Sequence, residues 1–178
     1  GDMYEALPST SPWRVNVELV SFERQPVKVF KLREGVKFHN GDAFGPQDVI
    51  DTWKMLMNAD FAAIQNLGWD QITDITAPDD RTVVMTTKEI YAPFMSTAGA
   101  DNASAISPVS EMAKGPEVFK TEFGRDRVIG TGPVKFVSWT PKQQIVLEKN
   151  ADYWGEPMHL DEVIIRFMPD DSTQLVQL

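Results

Sequence analysis

The C-terminal part of the chain contains three short apolar runs separated by residues that form turns. The runs are Val134 to Trp139, Gln144 to Glu148 and Val163 to Met168, and Thr140-Pro-Lys lies between the first two. Runs of β-branched and aromatic residues bounded by turn formers are typical of strands. This pattern predicts a β-hairpin followed by a further strand.

A second hairpin is predicted upstream, where Ile72 to Ala77 and Thr82 to Thr87 flank the turn Pro78-Asp-Asp-Arg81. Strands are also predicted over Val15 to Phe22, which alternates apolar and polar residues, and over Val27 to Leu32. The second of these ends at Arg33-Glu-Gly35, where we expect the glycine to adopt a positive φ.

One helix is strongly indicated after Pro46, because a proline suits the first helical turn, where its missing N–H has no partner. Apolar residues recur there at helical spacing and define one face: Val49, Ile50, Trp53, Leu56 and Met57. Ser110 to Phe123 is predicted as a helix weakened by Gly115-Pro116, and Asp171 to Leu178 as the start of a helix with an acidic N-terminus. The pattern as a whole is α+β.

Charge and composition exclude several functions. The 178 residues carry a formal net charge of −9, whereas binding a phosphate backbone requires clustered Lys and Arg, so nucleic acid is not an expected partner. No run of eighteen apolar residues is present, and the first residues lack the pattern of a signal peptide. The absence of cysteine excludes disulfides, thiolate catalysis and thiolate metal sites.

The residues also give little reason to expect catalysis. Ser104, Ser107 and Ser110 lack the G-x-S-x-G nucleophile pattern, and only His39 and His159 are available as imidazole bases. The two histidines are far apart in sequence and lack H-x-x-x-H spacing, so we expect no metal site through them. We therefore expect neither an enzyme nor a bound cofactor.

Two blocks of the sequence resemble a known family. The first is Phe30 to Gly41 (FKLREGVKFHNG) followed by Gly45 to Ile50, and the second is Val128 to Trp139 followed by Ile145 to Gly155 and Leu160 to Phe167. In order and spacing these blocks resemble the family 5 extracellular solute-binding proteins, the peptide, nickel and opine receptors of bacterial import systems. Residues 8–28 depart from the family's pattern, since no Asp-Gly turn precedes Val27.

The resemblance implies a mixed β-sheet with packed helices, within the two-lobed fold of type II periplasmic binding proteins. It places residues 1–7 at an edge of lobe I, residues 8–150 in an inserted extra domain, and residues 151–178 in a truncated return into lobe I. Family members are much longer, so we expect this chain to be a fragment whose second lobe is absent.

The function implied is that of the substrate-binding component of an ABC importer, a monomeric protein of the periplasm or cell surface that delivers peptides or similar solutes to a membrane permease. A nickel, haem or oligosaccharide receptor of the same family is an alternative. A small hydrolase or a stand-alone structural module is an alternative of a different class.

Candidate ligand-binding residues follow from this resemblance and from local composition. Met3 and Tyr4 would lie just before the crossing between lobes, and a loop of small residues can approach a ligand closely. Trp69, which follows Gly68, is a candidate because it could be exposed. The loop candidates are Ala100, Asp101 and Asn102.

Other conspicuous residues are expected to be structural. Trp53 should belong to the core and Tyr153-Trp154 should lie under a hairpin, while His39 should form hydrogen bonds in a turn. For Gly130-Thr-Gly132 we expect a backbone role at a strand entry, with at least one glycine in a conformation that a Cβ would disfavour.

Overall fold

The computed structural model describes residues 17–21, 26–58, 68–94, 105–115, 117, 121–122 and 127–168. Its first sheet has four antiparallel strands in the order β1-β2-β4-β3. They are β1 (Val17–Ser21), β2 (Val27–Leu32), β3 (Ile72–Asp79) and β4 (Thr82–Thr87). The predicted hairpin of β3 and β4 is confirmed, and β1 pairs with β2 without an Asp-Gly turn between them.

Helix α1 (Pro46–Met57) packs on this sheet and completes the core, as its apolar pattern predicted. The Trp53 ring lies edge-on to Phe30, with 5.4 Å between centroids, and 6.1 Å from the Trp69 ring. Trp53 is only 4% exposed, which confirms its assignment to the core. Burying such large rings is a major source of stability in a domain of this size.

The ends of α1 follow from particular residues. Pro46 occupies the first turn, and the Asp48 carboxylate accepts a hydrogen bond of 2.8 Å from the Gly45 N–H, which caps the helix. The turn after β2 contains Gly35 at φ +70°, as predicted. Glycine adopts this left-handed conformation without the steric cost of a Cβ, which suits it to the turn there.

A short helix, α2 (Val109–Met112), docks against α1. It begins one residue before the predicted start at Ser110, and the chain then turns through Gly115 at φ +99°. A positive φ cannot continue a right-handed helix, so the single helix predicted from Ser110 to Phe123 is interrupted at Gly115. The helix predicted from Asp171 lies outside the described residues.

The second sheet has three antiparallel strands in chain order. These are β5 (Val134–Thr140), β6 (Gln144–Lys149) and β7 (Glu162–Arg166), and all three were predicted. β6 and β7 pair across residue 150, so one sheet spans the predicted domain boundary. The division of the chain at residues 7 and 150 stays a prediction.

The α+β class is confirmed by these two sheets and their helices. Within the described part of the chain, no helix has the length and apolar character needed to cross a membrane.

Candidate functional site

Most of the predicted ligand-binding residues lie outside the described residues. Met3 and Tyr4 precede residue 17, and Ala100, Asp101 and Asn102 fall between residues 94 and 105. Their role as ligand contacts therefore stays a prediction.

Trp69 is the one predicted site residue that the structure describes. It begins a 3₁₀ turn, Trp69–Gln71, after Gly68 at φ +87°. The turn directs its ring into the core against Trp53, and the residue is only 1% exposed. The expected exposure is wrong, because the first sheet and α1 leave an apolar space that a large ring fills.

A polar cluster joins the turn after β2 to the segment that enters β5. His39 is its centre, and its backbone N–H donates to the Gly130 carbonyl at 2.9 Å. The Gly130 N–H donates to Nδ1 of His39 at 3.2 Å, so Nδ1 must be the acceptor nitrogen. Nε2 therefore carries the proton and donates to the Gly132 carbonyl at 3.1 Å. We call His39, Gly130, Thr131, Gly132, Asn150 and Trp154 the histidine joint.

Asn150 and Trp154 hold the same segment from the other side. Nδ2 of Asn150, a residue 3% exposed, donates to the Gly132 carbonyl at 2.9 Å, and its Oδ1 accepts from the Asp152 N–H at 3.1 Å. Nε1 of Trp154 donates to the Thr131 carbonyl at 3.0 Å. The expected structural role of Trp154 and the hydrogen-bonding role of His39 are thus confirmed.

Burial of the His39 imidazole is the main cause that lowers its pKa below the ordinary value. Hydrogen bonding to the Gly132 and Val128 backbones raises the pKa, and the nearby positive charge of Lys135 lowers it. The lowered pKa therefore favours the neutral imidazole at neutral pH, and the hydrogen bond from the Gly130 N–H is what assigns the proton to Nε2.

The two glycines of the joint do not behave as expected. Neither Gly130 nor Gly132 has a positive φ. A Cβ at Gly130 would make an ordinary contact with His39 at 3.7 Å, and one at Gly132 would meet nothing within 4 Å. The expectation of a disfavoured conformation is wrong, because what holds this segment is hydrogen bonding to its carbonyl and N–H groups.

Sequence reasoning missed two residues of this region. Asn150 was visible only as the first residue of an Asn-x-x-Tyr-Trp-Gly motif, and nothing local showed that its amide reaches back to Gly132. The Arg33 guanidinium lies over the Trp154 ring at 4.7 Å, within cation–π range. Both contacts join residues distant in sequence, so no local pattern predicts them.

A second connection ties α1 to the segment before α2. The buried Thr52 hydroxyl accepts a hydrogen bond from the Ser107 N–H at 3.0 Å. The same hydroxyl donates to the Ser107 carbonyl at 3.3 Å. One turn earlier, the Asp48 carboxylate accepts from the Val109 N–H at 2.9 Å. These contacts fix Ser107 and Val109 against α1.

The chemistry available in the described residues is that of a scaffold. Each side-chain nitrogen and oxygen named in the histidine joint is hydrogen-bonded to backbone, so the joint positions the chain. Across the described ranges, no three His, Asp or Glu side chains come together as a metal would require. The absence of a metal site through His39 and His159 stays a prediction.

Solved structures similar to this chain include periplasmic and oligopeptide-binding proteins. AppA from Bacillus subtilis in complex with a nonapeptide superposes with a TM-score of 0.83 at 26% identity, covering 92% of this chain and 33% of that one. DppA from Helicobacter pylori, in complex with the peptide STSA, gives a TM-score of 0.73 at 28% identity over 91% of this chain and 34% of that one. The described fold is thus part of the fold of a type II periplasmic binding protein.

The chain matches the bacterial extracellular solute-binding proteins, family 5 Middle, over residues 27–178, and it belongs to that family. It is 29% identical over 150 residues to the oligopeptide-binding protein AppA of Bacillus subtilis, covering 83% of this chain and 27% of AppA. It is 31% identical over 153 residues to the glutathione-binding protein GsiB of Pectobacterium atrosepticum, covering 83% of this chain and 28% of GsiB. The chain spans less than a third of the length of either relative.

Proposed function

We propose that this chain is part of the substrate-binding receptor of an ABC importer that takes up oligopeptides or similar small solutes. The observation that carries the proposal is the family match over residues 27–178, together with the likeness to AppA bound to a nonapeptide. The receptor would be exported, act as a monomer and deliver its ligand to a membrane permease. It would bind its solute without chemical turnover.

The described residues would serve such a receptor as a rigid support. In a two-lobed receptor the ligand is enclosed between walls, and closure is driven only by the ligand's stronger binding to the closed form. Loops at the ligand must then be held by the fold. The described chain on either side of the segment that carries Ala100, Asp101 and Asn102 is held by the core: Phe94 is 1% exposed, and the Ser107 N–H is bound by Thr52.

We propose that this segment and the stretch containing Met3 and Tyr4 contribute to one wall of the ligand site. Small side chains such as Ala100 leave room for a peptide backbone, and Asp101 and Asn102 offer a charge and an amide for its polar groups. Trp69 would support the wall from the core rather than touch the ligand.

An opine is a second candidate ligand. The structure of AgaA in complex with agropinic acid, at 27% identity and a TM-score of 0.75, is about as similar to this chain as the peptide-bound structures. A zwitterionic or acidic small solute would use the same polar groups as a peptide terminus.

The proposal can be tested with a hybrid receptor, in which this chain replaces the region of Bacillus subtilis AppA that it matches. After cooperative melting shows that the hybrid folds, thermal-shift screening with peptides of two to nine residues and with opines should reveal one stabilising class. Mass spectrometry should recover that ligand unchanged. A folded hybrid that is stabilised by none of these solutes, or that hydrolyses them, would contradict the proposal.

A further inference from the structure

The Asn-Gly pair at Asn40-Gly41 forms an exposed turn, and the chain contains no other Asn-Gly pair. The Gly41 N–H donates to the Phe38 carbonyl at 2.9 Å, and the Phe38 N–H donates to the Asp42 carbonyl at 2.8 Å. Gly41 has a φ of +92°, and a Cβ there would meet nothing within 4 Å. The peptide bond between Asn40 and Gly41 therefore lies at the surface, with no side chain on Gly41 to shield it.

An asparagine in this position is thermolabile, because its side chain can react with the next backbone nitrogen. The Gly41 nitrogen gives up its proton and forms a bond to Cγ of Asn40. The bond from Cγ to Nδ2 then breaks, and Nδ2 leaves as ammonia with that proton. Water adds to either carbonyl of the resulting cyclic imide and opens it to aspartate or isoaspartate. The reaction thus needs water and no other reactant.

The native turn occupies the groups that must react. Oδ1 of Asn40 accepts from the Asp42 N–H at 3.2 Å, which is an Asx turn. Nδ2 of Asn40 donates to Oδ2 of Asp42 at 2.7 Å. The attacking nitrogen of Gly41 is itself bound to the Phe38 carbonyl. In the folded chain the reaction must therefore await local opening of the turn.

A serine on α2 holds the turn closed. The Ser110 hydroxyl donates to the same Oδ2 of Asp42 that accepts from Asn40. The hydrogen bond from Ser110, and after it the one from Asn40, holds the pKa of Asp42 below its usual value, so at neutral pH the carboxylate is an ionised acceptor. Because α2 docks against α1, the turn is tied to the body of the fold. We call Asn40, Asp42 and Ser110 the turn latch.

We propose that Asn40 is a site of spontaneous deamidation and that the turn latch sets its rate in the folded chain. Isoaspartate at position 40 would lengthen the backbone directly after His39, whose own N–H binds the Gly130 carbonyl. Modification would therefore loosen the histidine joint and limit how long the chain keeps its fold. Neither the reaction nor its control by the latch depends on which solute the receptor binds.

Peptide mass spectrometry tests the reaction on the full chain. Trypsin releases Phe38 to Lys54 as a peptide whose only asparagine is Asn40. After incubation of the folded chain at neutral pH and physiological temperature, this peptide should contain aspartate and isoaspartate at position 40. Asn58, which is exposed but precedes Ala59, should stay an amide over the same period. Conversion at position 40 should be about tenfold faster in urea, where no opening is needed. An amide that persists at position 40 in the folded chain, or equal rates in the folded and unfolded chain, would overturn the proposal.

Ser110→Ala tests the latch, because Ser110 is distant in sequence from Asn40 and can act on it only through the fold. The substitution should speed conversion of the folded chain by about fivefold, the factor that corresponds to one net hydrogen bond. The acceleration should disappear in urea. Ser138→Ala, at an exposed serine of β5, is the matched control and should leave the rate unchanged. Equal rates for the wild type and Ser110→Ala, or the same acceleration by Ser138→Ala, would contradict the role of the latch.

The effect on the histidine joint has its own readout. Deamidated chain carries an additional negative charge, so ion exchange can separate it from unmodified chain. Its melting temperature should be lower by roughly 2–4 °C. In the His39→Ala variant, where the joint is already broken, the same modification should change the melting temperature by much less. No shift in the wild type, or an equal shift in both chains, would show that modification at position 40 does not act on the joint.

Discussion

Replacing His39 with alanine should loosen the histidine joint and lower the stability of the whole chain. The substitution removes the hydrogen bond from Nε2 to the Gly132 carbonyl and the acceptor for the Gly130 N–H. The Gly132 carbonyl keeps its bond from Asn150, so only the Gly130 N–H is left unpaired. At about 1 kcal/mol for each net hydrogen bond, the free energy of unfolding should fall by about 2 kcal/mol.

Thermal unfolding followed by circular dichroism measures this loss. For a chain of this size, about 2 kcal/mol corresponds to a fall in melting temperature of roughly 4–8 °C. His159→Ala is the matched control, because His159 is exposed and substitutions at such sites usually change stability by less than about 0.5 kcal/mol. If His39→Ala has the melting temperature of the wild type, or if both alanine variants lose the same stability, the histidine joint does not stabilise the fold.

The pH dependence of this difference gives a second readout. Since burial lowers the pKa of His39 in the folded protein, the stabilisation from its neutral form is fully present above the unfolded pKa of about 6.5. It is lost as the pH falls through the lower folded pKa, where protonated Nδ1 no longer accepts from Gly130. The gap in melting temperature between wild type and His39→Gln, which cannot titrate, should therefore narrow as the pH falls below about 6.5. A gap that widens on acidification would show that the folded protein raises the pKa of His39 and would refute the neutral form assigned to it.

Three further substitutions or titrations test other parts of the structure. Thr52→Val should lower the free energy of unfolding, measured by chemical denaturation, by about 1–3 kcal/mol, because it leaves two backbone groups of buried Ser107 unpaired. Thr76→Val, on the exposed side of β3, is the control and should be nearly neutral. Equal effects of the two substitutions would show that Thr52 does not hold Ser107. Gly35→Ala, at φ +70°, should lower the free energy of unfolding by about 1 kcal/mol, while Gly132→Ala should leave the melting temperature unchanged. A larger loss of stability in Gly132→Ala than in Gly35→Ala would show that Gly132 is the strained glycine. Calorimetric titration with nickel or zinc should show no one-to-one site in the micromolar range, and a site abolished by His39→Ala would overturn that prediction.

Local patterns predicted the helices and strands of this fold because the spacing of apolar residues within each element is typical of its type. The helical spacing of Val49, Ile50 and Trp53 and the β-branched runs of β3 to β6 were sufficient to place a helix and two hairpins. The turn at Gly35 was also predictable, since a glycine after Arg-Glu at a strand end supplies the positive φ that a reversal needs.

The joint could not be predicted in the same way, because its partners are distant in sequence. Gly130 and the His39 ring that binds it are separated by 91 positions. A local spacing of residues cannot indicate a contact over that distance in sequence. For the same reason Gly130 and Gly132 were assigned to backbone strain when hydrogen bonding is what holds them. The burial of Trp69 could not be predicted locally either, because it depends on contact with Trp53 of α1, sixteen positions earlier in the chain.

The most direct test of a solute-binding role is a comparison of peptide affinity between the isolated chain and the AppA hybrid. Affinity in a cleft comes from enclosing the ligand, so a chain that supplies only part of the walls should lose about 4 kcal/mol and bind a micromolar ligand only in the millimolar range. Isothermal titration of the same nonapeptide should therefore give micromolar or tighter binding to the hybrid and little heat with the isolated chain. Equal submicromolar affinity for both, or no binding by a folded hybrid, would contradict the account.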